Sequence, residues 1–197
     1  MSVACRGVDQ ELRTALRLVH GSSVPPCAMA GIGSLTVRIA VGSDHAGFAL
    51  KELLAQHLSG LGHEVTDLGT HGIESVDYPD YGAAVGRAVA AREADYGVCC
   101  CGTGIGISIA ANKVPGVRAA VVHDVSSAHL ARAHNDANVV CFGARLIGTV
   151  VATDALDAFL ASEFLGGRHQ RRIDKLAELD GHPTLAGASV DHEEDVQ

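Results

Sequence analysis

Between Val37 and Leu179, short apolar runs alternate with longer segments whose apolar residues recur at helical spacing. The runs are Val37 to Gly42, His63 to Leu68, Tyr96 to Cys101, Arg118 to Val122 and Asn138 to Phe142. Between them the spacing predicts helices over Ala46 to Ser59, Asp80 to Arg92, Ile105 to Asn112 and Val125 to His134, then over Gly148 to Leu160 and Arg171 to Leu179. Pro79 suits the start of the second helix, Asp124 the N-cap of the fourth, and Gly60 and Gly62 the end of the first. Strands that alternate with helices call for a parallel sheet covered on both faces. The expected class is therefore α/β: a three-layer α/β/α sandwich around a five-stranded parallel, Rossmann-like sheet. Ligands of such sheets sit beyond the carboxyl ends of the strands, so the residues that follow strands carry the functional reading.

The flanks differ. Val8, Leu12, Leu16 and Val19 fit a short amphipathic helix, and Gly21-Ser22-Ser23-Val24-Pro25-Pro26 reads as a linker. Residues 1–36 are taken as an N-terminal extension, 37–179 as the single domain and 180–197 as an acidic tail. A content of 47% hydrophobic and 19% charged residues is that of a folded domain. The net charge of −8 argues against a nucleic-acid partner. No run of apolar residues is long enough to span a membrane, and no leader-like apolar segment opens the chain. Three of the six Cys are consecutive in one strand, where neighbours face opposite ways. That suits neither a disulfide framework nor a zinc site, so reduced thiols and a cytoplasmic location are expected.

The turn after the third strand, Cys101-Gly102-Thr103-Gly104-Ile105-Gly106-Ile107-Ser108, is the most informative. Its glycines allow successive backbone N–H groups to converge on one point, a cradle for phosphate or for a developing oxyanion. Ile107 and Ser108 stand where a Walker loop needs its Gly and Lys, and Ile107 where a dinucleotide fingerprint needs a small residue. A glycine turn used only for packing is the plain alternative. Cys101 precedes the donors, a position that favours a thiolate able to act as nucleophile or base. Strand cysteines are more often small apolar fillers, which is the reading for Cys99 and Cys100.

Asp44-His45 follows the first strand; Asp44 would order a sugar hydroxyl or merely cap the next helix. His134-Asn135-Asp136 ends a helix, where a histidine is often only a dipole partner, and His134 serves in proton transfer only if it faces Cys101. Arg168 and Arg172 lie four apart in Gly166-Gly167-Arg168-His169-Gln170-Arg171-Arg172, so on one helix they would suit a phosphate; otherwise they are a solvated charge run.

Gly42-Ser43-Asp44-His45-Ala46-Gly47-Phe48, Asp77-Tyr78-Pro79, the run from Cys101 to Lys113, His134-Asn135-Asp136 and the run from Gly166 to Arg172 together resemble the type B ribose-5-phosphate isomerases, a family that includes galactose-6-phosphate isomerase subunits. The resemblance spans about residues 37–179. It implies a homodimer with sites built from both chains, no metal and no cofactor, and aldose–ketose isomerisation of a phosphorylated sugar. Carried onto this chain, it makes Cys101 the base that moves a proton between C2 and C1, and His134 the group that opens the furanose ring and donates a proton. Gly102, Thr103, Gly104, Ile105 and Gly106 would hold the enediolate oxygen, and Asp44, His45 and Asn135 the sugar oxygens. Arg145, Arg168 and Arg172 would bind the substrate, the last two at its phosphate, with Tyr78 as an auxiliary. One branch of the family carries a Glu base in the loop; Ile107 and its neighbours offer no carboxylate, so the Cys branch applies. The implied substrate is ribose 5-phosphate or ribulose 5-phosphate. The competing readings are the same chemistry on allose 6-phosphate, galactose 6-phosphate or a tetrulose 4-phosphate, a non-catalytic phosphate-binding module, and a thiol hydrolase.

Overall fold

A computed structural model describes residues 36–181. The stretch from Val8 to Val19, the linker after it and the tail beyond Gly181 lie outside the described residues. Five strands, β1 (Arg38–Ser43), β2 (Glu64–Asp67), β3 (Tyr96–Cys101), β4 (Ala119–Val121) and β5 (Val139–Gly143), form one sheet in the order β2-β1-β3-β5-β4. Every pairing is parallel. Six helices connect and cover it: α1 (Phe48–Gly60), α2 (Tyr78–Ala90), α3 (Ile105–Ala111), α4 (Val125–Asn135), α5 (Thr149–Leu160) and α6 (Arg168–Leu179). The expected α/β sandwich is what forms.

The two faces of the sheet bury separate cores. On one face α1, α4 and α5 lay Leu50, Leu54, Leu58, Ala128, Ala131, Leu156 and Phe159 over Ile39, Val41, Val98, Cys100 and Phe142. On the other, α2 and α3 cover Ala40, Cys99, Cys101 and Cys141 with Val85, Val89, Ile107 and Ala111. Leu50, Leu54 and Leu58 fall four apart on α1, and each such buried side chain contributes roughly 1.5–3 kcal/mol. The three consecutive cysteines divide as strand geometry requires: Cys99 and Cys101 face one core, Cys100 the other. All three are buried, as is Cys141 beside Cys99 in the β3–β5 register.

Helix ends follow local chemistry. Pro79 occupies the first turn of α2. Asp124 accepts from the Ser127 amide at 2.8 Å while the Ser127 hydroxyl accepts from Asp124 N–H at 3.2 Å, a capping box that starts α4. α6 starts at Arg168 rather than Arg171, so Arg168 and Arg172 do lie on one helix. Its buried residues are His169 and Ile173, again four apart.

Candidate active site

The strand order reverses between β1 and β3, and at that point the tips of the two strands place Asp44, His45 and the turn after Cys101 side by side. Ser43 pairs with Cys100, and the Asp44 amide donates to the Cys100 carbonyl at 3.2 Å. Asp44 is buried, and its Oδ1 accepts from the Gly47 amide at 2.9 Å, which fixes the turn into α1. His45 Nδ1 lies 3.2 Å from both the amide nitrogen and the carbonyl oxygen of Val76. The loop carrying Val76 also leads to Tyr78, the first residue of α2.

Cys101 retains only 4% of its surface in a single chain. Its Sγ accepts from the Gly104 amide at 3.0 Å, so one of the loop donors is engaged by the sulfur itself. Gly104 has φ 77°, a left-handed conformation that turns the chain into α3 and that a side chain would strain. In the first turn of α3 the Ile105 amide donates to Thr103 Oγ1 at 3.3 Å and the Ser108 amide to the Gly104 carbonyl at 3.2 Å, which leaves the Gly106 and Ile107 amides without an acceptor in that turn. A Cβ at Gly106 would lie 2.7 Å from the Tyr78 ring, which brings Tyr78 to the loop. A Cβ at Gly102 would lie 3.5 Å from the Arg145 guanidinium, and the Arg145 amide donates to the Gly102 carbonyl at 3.0 Å. Thus Asp44, His45, Tyr78, Cys101, Gly102, Thr103, Gly104, Ile105, Gly106 and Arg145 share the carboxyl edge of the sheet. Burial pushes the thiols of Cys100 and Cys141 well above the ordinary range, which leaves them as neutral core residues.

His134, Asn135, Arg168 and Arg172 are elsewhere. α4 leaves the carboxyl end of β4 and runs back along the sheet, so its last turn sits at the amino end of β5. There Asn138 O accepts from the Gly97 amide at 2.9 Å, at the start of β3. Cys101 is four residues further along that strand, a rise of roughly 13 Å. It also faces the opposite core from the one α4 covers. One chain therefore does not bring His134 to Cys101.

The amino-edge group has its own order. The His134 and His169 rings are stacked, with centroids 4.2 Å apart and planes 9° from parallel. Burial, the His134 ring and the two guanidinium groups of Arg168 and Arg172 hold His169 below the usual histidine range. The corner after Asn135 is clamped by Asp136, whose carboxylate accepts from Arg118 Nη2 and Arg132 Nη1, each at 2.6 Å. Arg132 also lies over the Tyr96 and Phe159 rings, at 5.0 and 5.8 Å from their centroids. A cavity of about 490 Å³, between α6 and the β4 edge, reaches Asn135 but not Cys101. Sequence reading gave His169 no role of its own; the signal was its spacing of four from Ile173, which turns it inward. Among the described residues, no three His, Cys, Asp or Glu side chains gather as metal ligands. No helix among them is long and apolar enough to cross a membrane.

The profile of the Ribose/Galactose Isomerase family matches residues 39–176. The chain belongs to that family. It is 48% identical to Ribose-5-phosphate isomerase B of Escherichia coli (strain K12) over 73% of this chain and 96% of that one. It is 43% identical to the Putative sugar phosphate isomerase YwlF of Bacillus subtilis (strain 168), over 73% of this chain and 97% of the relative. Among solved structures, ribose-5-phosphate isomerase B of Clostridium thermocellum superposes with a TM-score of 0.72 at 52% identity, over 73% of this chain and 97% of that one. The enzyme of Mycoplasma genitalium with bound ribulose-5-phosphate gives 0.70 at 41% identity, over 73% and 95%. These ribose/galactose isomerase relatives share the α/β fold described above.

Proposed function

We propose that the chain interconverts ribose 5-phosphate and ribulose 5-phosphate through an enediolate, in active sites that two copies of the chain complete. The observation that carries this reading is the Cys101 sulfur, held by the Gly104 amide beside a glycine turn at the switch point of the sheet. In the sugar-bound site the Cys101 thiolate takes the proton from C2 of the open-chain aldose. The electron pair moves toward the carbonyl at C1, and the resulting enediolate oxygen is met by main-chain N–H groups of the turn from Gly102 to Gly106. One such donor is worth about 2.7–4 kcal/mol in acyl transfer, and an enediolate poses the same electrostatic demand. The thiol then returns the proton to C1 while a proton moves between the two oxygens, which leaves the ketose and the starting thiolate. Atoms and charge balance without an outside oxidant.

His134 of a second copy opens the furanose ring and supplies the proton to oxygen. Asp44, His45 and Asn135 hold sugar hydroxyls. Arg168 and Arg172, four apart on α6, bind the phosphate as a bidentate pair, and Arg145 faces the sugar from beside Gly102. Holding the phosphate remotely supplies orientation at the reacting carbons. Exposed Ile105 and Ile109 on the helix after the Cys101 turn, and exposed Val125, Leu146 and Val150 in the segments that follow β4 and β5, give the second copy an apolar surface to cover.

The test is turnover of the purified chain on a panel of ribose 5-phosphate, allose 6-phosphate, galactose 6-phosphate and a tetrulose 4-phosphate, alongside Cys101→Ala. The expected outcome is the highest kcat/KM on ribose 5-phosphate and a kcat lowered by about 10²–10⁴-fold or more in the variant, as for loss of a positioned acid–base group. A higher kcat/KM on another sugar transfers the chemistry to that substrate, and near-normal turnover of Cys101→Ala removes the base assignment.

A further inference from the structure

We infer that His169 is a positioning residue for the proposed reaction: stacked face to face on His134, it fixes the plane of that imidazole and leaves the pair's proton traffic to it. This rests on the reading of His134 given above. The geometry comes first. His134 lies in the last turn of α4, and the nearly parallel ring of His169 covers it at a centroid distance of 4.2 Å. His169 is itself held: it is one of two buried residues of α6, in line with Ile173. The loop ahead of α6 is tied to α4 by the Leu165 amide, which donates to the Ala133 carbonyl at 3.0 Å, one residue before His134. The stack thus joins two elements that the backbone already fastens.

A second imidazole is a costly choice for a flat support unless it stays uncharged. The groups acting on His169 are the His134 ring from α4 and Arg168 and Arg172 from α6, with Arg168 Nε 3.5 Å from His169 Nε2; all three oppose a positive charge there. Burial acts in the same direction and more strongly. A neutral His169 therefore keeps a flat face against His134 and adds no third positive charge between the two arginines and a bound phosphate.

The experiment pairs kinetics with proton NMR titration of the histidine rings in the full chain. His169→Ala is expected to lower kcat about 10- to 100-fold with KM changed by less than about threefold, the signature of a misplaced group rather than lost binding. His169→Phe keeps an apolar flat ring and is expected to recover most of that loss. In the wild type the His169 ring titrates below an ordinary histidine, and its titration moves up in His134→Phe, where the neighbouring imidazole is gone. A role confined to stability would lower Tm in His169→Ala without the split between kcat and KM and without rescue by Phe. Wild-type kcat in His169→Ala, or an ordinary titration of His169, overturns the inference. If the wild-type chain turns over no sugar phosphate, the functional reading fails, and the titrations alone then decide whether the pair behaves as described.

Discussion

At the carboxyl edge of the sheet the candidate site is mostly backbone, whereas at the amino edge it is side chains borne on helices. The Cys101 turn owes its shape to strand tips, a left-handed Gly104 and close approach of Tyr78 to Gly106. The His134 group owes its shape to a stacked ring pair, two guanidinium groups and the Asp136 clamp. The connecting element is α4, whose eleven residues span about 16 Å from the Asp124 cap to His134. The first half is suited to stabilise charge that appears during reaction, because its dipoles do not move. The second is suited to bind phosphate and to exchange protons, because Arg168 and Arg172 are exposed and its histidines ionisable. A parallel sheet separates the two within one chain, and the proposed reaction, which uses both, therefore calls on a second copy.

Complementation breaks that comparison most directly. Cys101→Ala and His134→Asn, each alone, are expected to be inactive. Co-expressed in equal amounts, half of the dimers are mixed, and each mixed dimer holds one site with both residues intact. Activity should return to about a quarter of the wild-type value, as an isologous pair of shared sites demands. No recovery in mixed dimers isolated by differential tags would show that the two halves do not meet across chains.

The resemblance implied sites built from both chains, but the periodicity of the sequence did not show which residues would fall apart, and the reason is physical. Periodicity identifies elements, and here β3 came out at its observed bounds, Tyr96 to Cys101. It does not give neighbours. β5 inserts between β3 and β4, and the hint lies in burial: Val139 to Gly143 is buried throughout, as a central strand must be, while Ala119 to Val121 is only half-buried at the edge. The early start of α6 was hidden because Arg168, His169 and Gln170 show no apolar repeat; their helix is fixed by the stack on α4. Residues that follow strands, such as Asp44, Cys101 and Arg145, were legible because topology sends them all to one edge. Residues at helix ends, such as His134, had no such rule to place them.

The carboxyl-edge half has a buried prop that sequence reading would leave on the surface. The Lys51 side chain is fully buried on α1, with Nζ 2.5 Å from Asp67 Oδ2, 3.0 Å from Glu52 Oε1 and 2.9 Å from the Thr70 carbonyl. The segment it holds is zipped to Ser43, whose amide donates to the Gly69 carbonyl and whose carbonyl accepts from Thr70 N–H. Asp44 and His45 follow directly. Breaking a buried pair costs about 3–5 kcal/mol, and since Asp67 still meets water, Lys51→Met should cost less, roughly 2–3 kcal/mol in a denaturant titration. Activity should fall at the same time through Asp44 and His45, while the His169 titration stays in place. A shift of that titration would mean that the halves are coupled through the core.

The smallest effect is expected at the start of α4, where the two regions are joined. Asp124 is exposed, and the Ser127 amide it accepts from holds its carboxyl below the usual carboxylate range. A group with a depressed folded pKa stabilises the fold above its unfolded value, and that contribution is lost as pH falls through the folded value. Asp124→Ala should therefore lower Tm slightly at pH 7, and the difference from wild type should vanish in acid, once the carboxylate is protonated in both states. Because the cap acts on the first turn and His134 sits in the last, kcat should barely change. A large fall in kcat with a small change in Tm would mean that fraying at the carboxyl edge travels the length of α4 to the stacked histidines, and the two halves could no longer be treated as independently built.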